Sequence, residues 1–290
     1  MHATTTRDRP QDEERARRLA QAFGRSGLLV LPSSVTATAA AEWAMVRTPA
    51  GNRLLVAPAP ECAGILAEFD GERAERDGSP FLIGLLNARS AAALRRHLRW
   101  LTPGPLPASA SAGFGDRLGL ATPGHARALR AAGGSITPVF AQQSIREMTR
   151  AARPPQAVVD DATWGSFEAG WRDGQGADAD HLKTAADITA CAAAGFTMYT
   201  IDPGDHVDRD ADAASPAALR AAWDALPWEA LEDSPESLRA RLSGRAFDVE
   251  GRSLSSPDHR DLPGETCIQP TPGAVRYLLR FRETTPVSPP

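Results

Sequence analysis

The sequence predicts an α/β protein: an incomplete (β/α) TIM-barrel-like domain preceded by a smaller N-terminal α/β unit. Two observations predict it. From Gly113 onward, short β-rich runs alternate with helix starts, the pattern of a parallel sheet whose strands are joined by helices. Two of these runs end in clusters of Asp and His: Gly176-Ala-Asp-Ala-Asp-His-Leu-Lys183 and the stretch closing on Thr200-Ile-Asp-Pro-Gly-Asp-His206. A β/α enzyme gathers metal ligands and proton-transfer groups at the carboxyl ends of its strands. A complete eight-unit barrel takes about 250 residues. The chain has fewer than that after Gly113, and only about half of the strands are legible.

The N-terminal unit is expected over residues 1–110. Gln11 to Phe23 reads as a helix. Apolar runs at Gly27–Leu31, Trp43–Arg47, Arg53–Ala57 and Phe81–Leu86 read as strands, with turn-forming residues between several of them. Nothing here concentrates catalytic residue types, so the unit reads as scaffold or substrate lid. Thr102-Pro-Gly-Pro-Leu-Pro-Ala-Ser-Ala-Ser-Ala112 reads as a linker, because Pro and Gly suppress regular structure.

The first half of the barrel is expected over 111–250. Arg117–Ala121 reads as its first strand, and Thr122-Pro-Gly-His125 opens a helix with Thr122 as N-cap and Pro123 at the first helical position. Thr137–Gln143 is the second strand. Ser144-Ile-Arg-Glu147 fits a capping box, in which the Ser hydroxyl accepts from the third amide and the Glu reaches back. A helix over Pro155–Arg172 leads into the strand Gly176–Leu182. Thr184-Ala-Ala-Asp187 caps another helix that stops at Gly195, and Phe196–Ile201 is the fourth strand. Helices at Pro216–Leu226 and Ser234–Leu242 and a strand at Ala246–Val249 follow. Residues 251–290 lose this pattern and read as an irregular tail, either disordered or translated in an altered frame.

Composition excludes several classes. The formal charge is −4, and the Arg residues are interleaved with acids, as in Asp12-Glu-Glu-Arg-Ala-Arg-Arg18. No basic stripe for nucleic acid or a membrane surface emerges. Cys62, Cys191 and Cys267 are too far apart for a disulfide framework or zinc knuckle. The N-terminus lacks a signal-peptide apolar core, and no apolar run approaches the ~20 residues that span a bilayer. A cytoplasmic protein is expected, its oligomeric state open.

His181 and Asp180 are the strongest site candidates. An imidazole beside carboxylates at a strand end suits a divalent-metal ligand, and Asp180 suits a general base. The alternatives are a histidine hydrogen-bonded at a strand end and a turn aspartate. Strict alternation puts Asp178 and Asp180 on one face and His181 on the other, so both serve one site only if the strand ends or bulges there. Asp202, Asp205, His206 and Asp208 form the second cluster, in which Pro203-Gly204 makes a turn. Gln142, Gln143 and Arg146 suit a polyhydroxy carboxylate, the guanidinium through bidentate bonds, and Lys183 adds positive charge. A helix-surface ion pair is the alternative for Arg146. His125 reads as structural. His97, within Leu94-Arg-Arg-His-Leu-Arg-Trp100, reads as solvated on a basic helix.

Several runs resemble the tagaturonate epimerase family. They are Gly115-Asp-Arg-Leu-Gly-Leu-Ala-Thr-Pro-Gly-His125, Phe140-Ala-Gln-Gln-Ser-Ile-Arg-Glu147, Asp161-Ala-Thr-Trp-Gly165, the 176–183 run, and Phe196-Thr-Met-Tyr-Thr-Ile-Asp-Pro-Gly-Asp-His-Val-Asp208. The resemblance covers about 113–250 well and the first unit weakly. It implies a barrel-like, metal-dependent epimerase that interconverts D-tagaturonate and D-fructuronate in hexuronate catabolism. It further implies a divalent cation of unspecified identity, Asp180 as proton acceptor and His181 as metal ligand.

Family members are longer and draw further ligands and the proton donor from the part that follows. Gly251–Pro290 shows no counterpart, since the surroundings of His259 and Glu265 do not match. The chain is therefore expected to be a truncated epimerase with half a site and little activity. A non-catalytic remnant that binds sugar acid or a partner chain, and a different metal-dependent barrel aldolase or isomerase, are the competing readings. The inverted carbon lies one position beyond the carbon α to the ketone, so simple enolisation does not invert it. Retro-aldol cleavage with re-addition, or direct proton removal and return, would.

Overall fold

The structure is a computed structural model that describes residues 9–24, 27–106, 110–133, 135–202, 213–229, 232–242, 246–249 and 252–255. Contacts divide the chain into two compact units, Met1–His181 with Ile188–Thr200, and Leu182–Asp187 with Ile201–Pro290.

The first unit opens with helix α1 (Arg9–Gly24) and a mostly antiparallel sheet of β1 (Leu29–Val30), β2 (Thr36–Ala37), β3 (Ala41–Thr48), β4 (Gly51–Pro58), β5 (Gly71–Arg76) and β6 (Ser79–Gly84). The sheet order is β1-β3-β4-β6-β5, with β2 paired to β3. Strand alternation sorts β3 into two cores. Ala44 and Val46 pack with Ala16, Leu19 and Phe23 of α1. Trp43 and Met45 pack on the opposite face with Leu94 of helix α2 (Ala88–His97).

Three of the expected apolar runs appear as β3, β4 and β6, while the run at 27–31 shortens to β1. Strand β5 has no apolar alternation; its residues are largely exposed, with the charge that keeps an edge strand from pairing further. His97 is not solvated. Its ring stacks on Trp43 with centroids 5.3 Å apart, and Nε2 lies 3.2 Å from Glu68 Oε1.

A parallel sheet follows: β7 (Ser111–Gly113), helix α3 (Thr122–Ala132), β8 (Thr137–Ser144), helices α4 (Ile145–Arg150) and α5 (Pro155–Ala169), β9 (Gly176–Leu182), helix α6 (Ala185–Ala194) and β10 (Met198–Ile201). The strand order β7-β8-β9-β10 simply follows the sequence. It is a parallel half-barrel order without the reversal that marks a doubly wound sheet. Parallel pairing sets Gly113 against Val139, Gln142 against Asp178 and Ser144 against Asp180. Helix α5 ties the two sheets together, since its Trp164 and Phe167 belong to the Trp43 cluster.

Three local expectations change. The first strand is β7, which begins in the last residues of the stretch expected to be a linker, and Arg117–Ala121 is a loop. The reason is Asp116, whose carboxylate accepts from the N–H groups of Leu118, Gly119, Leu120 and Ala121 at 2.7–3.2 Å. Amides spent on a carboxylate cannot join a ladder. Burial works against the Asp116 charge, yet the bonds from Ala121, Leu120, Leu118 and Gly119 hold its pKa below the ordinary value. The alternating Leu118 and Leu120 that imitate a strand are 76% and 78% exposed.

Thr122 begins α3 but is not its N-cap. Ala121 occupies that position, and the Thr122 side chain is buried against Gly165. A Cβ on Gly165 would come within 2.5 Å of Thr122 Cβ, so α3 packs closely on α5 only because that position is glycine.

The capping box is present as expected. Ser144 Oγ accepts from Glu147 N at 3.3 Å, and Ser144 N donates back to Glu147 Oε2 at 3.2 Å. Thr184 and Asp187 make the equivalent pair ahead of α6, each backbone amide donating to the other's side chain at 3.1 Å.

The second unit contains helices α7 (Pro216–Asp224) and α8 (Pro235–Leu242) and a hairpin of β11 (Ala246–Val249) with β12 (Arg252–Ser255). The tail expected to be irregular from 251 thus begins with a paired strand. Its remainder lies outside the described residues. No helix among the described residues is long and apolar enough to cross a membrane.

Candidate active site

The carboxyl ends of β7, β8, β9 and β10 are joined by one line of polar contacts. It starts with Arg117 in the loop after β7. Arg117 Nη1 donates to the Gln142 carbonyl at 2.8 Å and to Gln142 Oε1 at 3.3 Å, and Nε lies 2.9 Å from Glu147 Oε1. Two glycines make room for this. A Cβ on Gly113 would stand 3.1 Å from Gln142 Cγ, and one on Gly115 would stand 2.5 Å from Arg117 Nη1. Burial opposes ionisation of Glu147, but bonds from Ser144 and the Arg117 guanidinium bring its pKa below the ordinary value.

The line continues into Asp178. Gln142 faces it across the β8–β9 ladder and hydrogen-bonds to it, and Thr200 Oγ1 donates to Asp178 Oδ1 at 3.0 Å from β10. Asp178 is 8% exposed. Burial raises its pKa, and the neighbouring Asp180 charge adds to the rise, while Thr200, Gln142 and His181 offset part of it.

A raised folded-state pKa means that the protonated carboxyl favours the fold; that contribution is present below the ordinary value of 3.8 and is lost as pH rises through the raised one. Asp178→Asn, which keeps the shape and cannot ionise, is expected to raise the thermal midpoint at pH 7 by about 2 °C. A variant that melts at or below wild type at that pH would contradict this.

Asp180 and His181 sit at the end of β9. His181 has φ +55°, in the left-handed region that a non-glycine residue rarely enters. The side-chain alternation of the strand therefore stops at Asp180, and the two neighbours can share a site. His181 Nδ1 lies 2.6 Å from Asp180 Oδ1. A carboxylate only accepts, so Nδ1–H donates to it, and the neutral form of the ring would then present its lone pair at Nε2. The His181 side chain is 60% exposed.

That arrangement fits a metal ligand, because ligating histidines are oriented by a carboxylate on the second nitrogen. Left-handed backbone at a bulky residue costs roughly 1–3 kcal/mol and persists where the surroundings hold it. Among the described residues no group of three or more His, Cys, Asp or Glu side chains comes together as a ligand set.

The other candidates scatter. Gln143 is fully buried on the opposite face, where its Oε1 accepts from Arg153 Nη1 at 2.7 Å. Arg153 also donates to the Asp116 carbonyl at 2.7 Å and to Asp161 Oδ2 at 2.6 Å, so Gln143 belongs to a structural network. Arg146 is exposed in the first turn of α4. Lys183 Nζ lies 3.7 Å from Asp202 Oδ2 within the second unit. Asp205, His206 and Asp208 lie outside the described residues. His125 packs on Phe114 with ring centroids 5.3 Å apart.

Three residues of the polar line went unread in the sequence: Asp178 as a functional group, Thr200 and Arg117. Asp178 carried one signal, its shared face with Asp180. A cavity of about 760 Å³ lined by Asn52, Gly119, His125, Asp161 and Trp164 lies elsewhere, and none of the strand-end residues lines it.

The sequence profile of the tagaturonate epimerase family matches residues 31–280, beyond the change of character near Glu250. The curated tagaturonate/fructuronate epimerase of Thermotoga maritima is 44% identical over 156 residues, which is 54% of this chain and 32% of that protein. The native crystal structure of the fructuronate-tagaturonate epimerase of Cohnella laeviribosi superposes with a TM-score of 0.71 at 27% identity, over 94% of this chain and 53% of that one. Its complex with one glycerol gives 0.70 at 28% identity, over 94% and 52%. The chain thus spans about a third of the curated relative and about half of the solved one. By a profile match over most of its length, the chain belongs to the tagaturonate epimerase family.

Proposed function

We propose that the chain is part of a metal-dependent epimerase interconverting D-tagaturonate and D-fructuronate, with Asp180 as proton acceptor and His181 as a ligand to a divalent cation. The observation that carries this reading is the Asp180–His181 pair at 2.6 Å on a left-handed strand end. The four sequentially ordered parallel strands are then the first half of a TIM-type barrel, with the pair at the end where such barrels do chemistry.

A bound divalent cation supplies Lewis acidity toward a substrate oxygen. Asp180 takes the proton from the hydroxyl on the carbon to be inverted. The bond from that carbon to the carbon α to the ketone breaks, leaving an aldehyde on one fragment and an enolate on the other. The aldehyde turns its other face, the bond re-forms, and Asp180 returns the proton to the new alkoxide. Atoms and electrons balance without an oxidant.

The test is to incubate the purified chain with D-tagaturonate in D2O, with Mg²⁺, Mn²⁺ or Zn²⁺ or with a chelator, and to read the products by NMR. Fructuronate is expected to form slowly with cation, in keeping with the little activity expected of this chain, and not at all with chelator, its inverted carbon still bearing protium. Conversion that ignores the chelator would remove the metal from the mechanism. Deuterium at the inverted carbon would replace the cleavage route with direct proton transfer.

A further inference from the structure

We infer that Arg117 is the group that recognises the carboxylate of the sugar-acid substrate, an inference that rests on the epimerase reading above. The sequence offers Arg146 for that task, but Arg146 stands exposed on α4, and the strand-end line holds a different guanidinium at the carboxyl end of β8. Arg117 reaches Gln142 at the carboxyl end of β8, and Gln142 in turn meets Asp178 on β9. It is therefore connected through one side chain to the strand that ends in Asp180 and His181.

The guanidinium is fixed before any ligand arrives. Glu147 takes Nε and the Gln142 carbonyl takes Nη1, two contacts on different edges that together lock the plane of the group. Glu147 is itself held by the Ser144 capping box, so the anchor is part of a helix start rather than a mobile side chain. Gly115 lies flat against the guanidinium: a Cβ there would come within 2.8 Å of Nη1, Cζ and Nη2 alike.

Nη2 has no hydrogen-bond or ion-pair partner among the described residues, and the side chain is 42% exposed. The two N–H groups of Nη2 on a guanidinium held in this way point to fixed directions, where a carboxylate can accept charge-assisted hydrogen bonds. Glu147 offsets much of the net charge, so recognition rests on directed hydrogen bonds, which Lys cannot reproduce.

The experiment compares two ligands that differ at one group. D-Tagaturonate and D-tagatose share the ketose and differ by a carboxylate against a hydroxymethyl. Affinities of the full chain for each, measured by calorimetry with cation present, are expected to favour the acid. R117Q is expected to weaken tagaturonate about tenfold to hundredfold and to leave tagatose unchanged, because charged hydrogen bonds of this kind carry that much discrimination. R117K should fall between, and Gly115→Ala, which displaces the guanidinium without removing it, should act like R117Q. Both serve if R117Q fails to fold by circular dichroism.

Unchanged preference for the acid in R117Q overturns the assignment. So does an equal loss for both ligands, which is the mark of a merely structural ion pair, and so does a wild-type chain with no preference for the acid. Failure of the epimerase reading shows separately, as absent conversion in the NMR assay.

Discussion

Asp180→Asn is expected to lower the rate of tagaturonate conversion by about 10²- to 10⁴-fold, the usual worth of a positioned general base. The amide has nearly the same shape and cannot take up a proton at neutral pH. Its Oδ1 still accepts from His181 Nδ1–H, so the imidazole keeps its orientation and the loss falls on proton transfer. Cation binding separates the two roles of the pair. A cation that binds the folded chain raises its melting temperature by mass action. That rise should persist in Asp180→Asn and vanish in His181→Ala. Loss of the rise in both variants would make Asp180 an orienting group for the ligand histidine and move the base elsewhere. Turnover unchanged in Asp180→Asn would remove it from the chemistry altogether.

Replacing Arg153 by Met should destabilise the first unit by about 3 kcal/mol, the cost of breaking a largely buried charged network from one side. Arg153 holds three acceptors from different elements: the Asp116 carbonyl in the loop after β7, Gln143 on β8 and Asp161 on α5. Among the described residues, none of them has a second cation to turn to in that cluster. Asp161→Asn should matter much less. Burial raises the Asp161 pKa, Asp116 and Asp160 push the same way, and Arg153 only partly offsets them, so ionised Asp161 is a cost as well as a partner.

Urea melts followed by tryptophan fluorescence read both variants. A shift below about 0.5 kcal/mol in Arg153→Met, the range of ordinary surface changes, would mean that the loop carrying Arg117 is held by other contacts. The network therefore matters to function indirectly: it clamps Asp116, and Asp116 shapes the loop that delivers Arg117.

Local grammar was legible in the sequence wherever the stabilising partners are close in the chain. The Ser144–Glu147 box spans three residues, and the helices that follow strands announce themselves by caps and period. The strand β7 was hidden because Ser111-Ala-Gly113 has little β propensity of its own and is a strand only by pairing with β8. Arg117–Ala121 imitated a strand because Leu118 and Leu120 alternate, whereas the decisive partner, the Asp116 carboxylate, gives no periodic signal.

The site divides in the same way. Asp180 and His181 were legible as residue types at a strand end, but not the left-handed turn of the backbone that lets neighbours cooperate. Asp178 could be placed on the correct face by alternation. Its raised pKa comes from burial, which the bond from Thr200 on the next strand partly offsets, and the local sequence records neither. Gln142 and Gln143 looked equivalent until register separated them, one against Asp178 and the other buried against Arg153.

The most direct measurement is the proton spectrum of D-tagaturonate incubated with cation and either the wild-type chain or folded Asp180→Asn. Fructuronate signals that grow with wild type and stay absent with the variant are expected. Tagaturonate unchanged by the wild-type chain, or equal conversion in both tubes, would contradict a site built on Asp180 and His181.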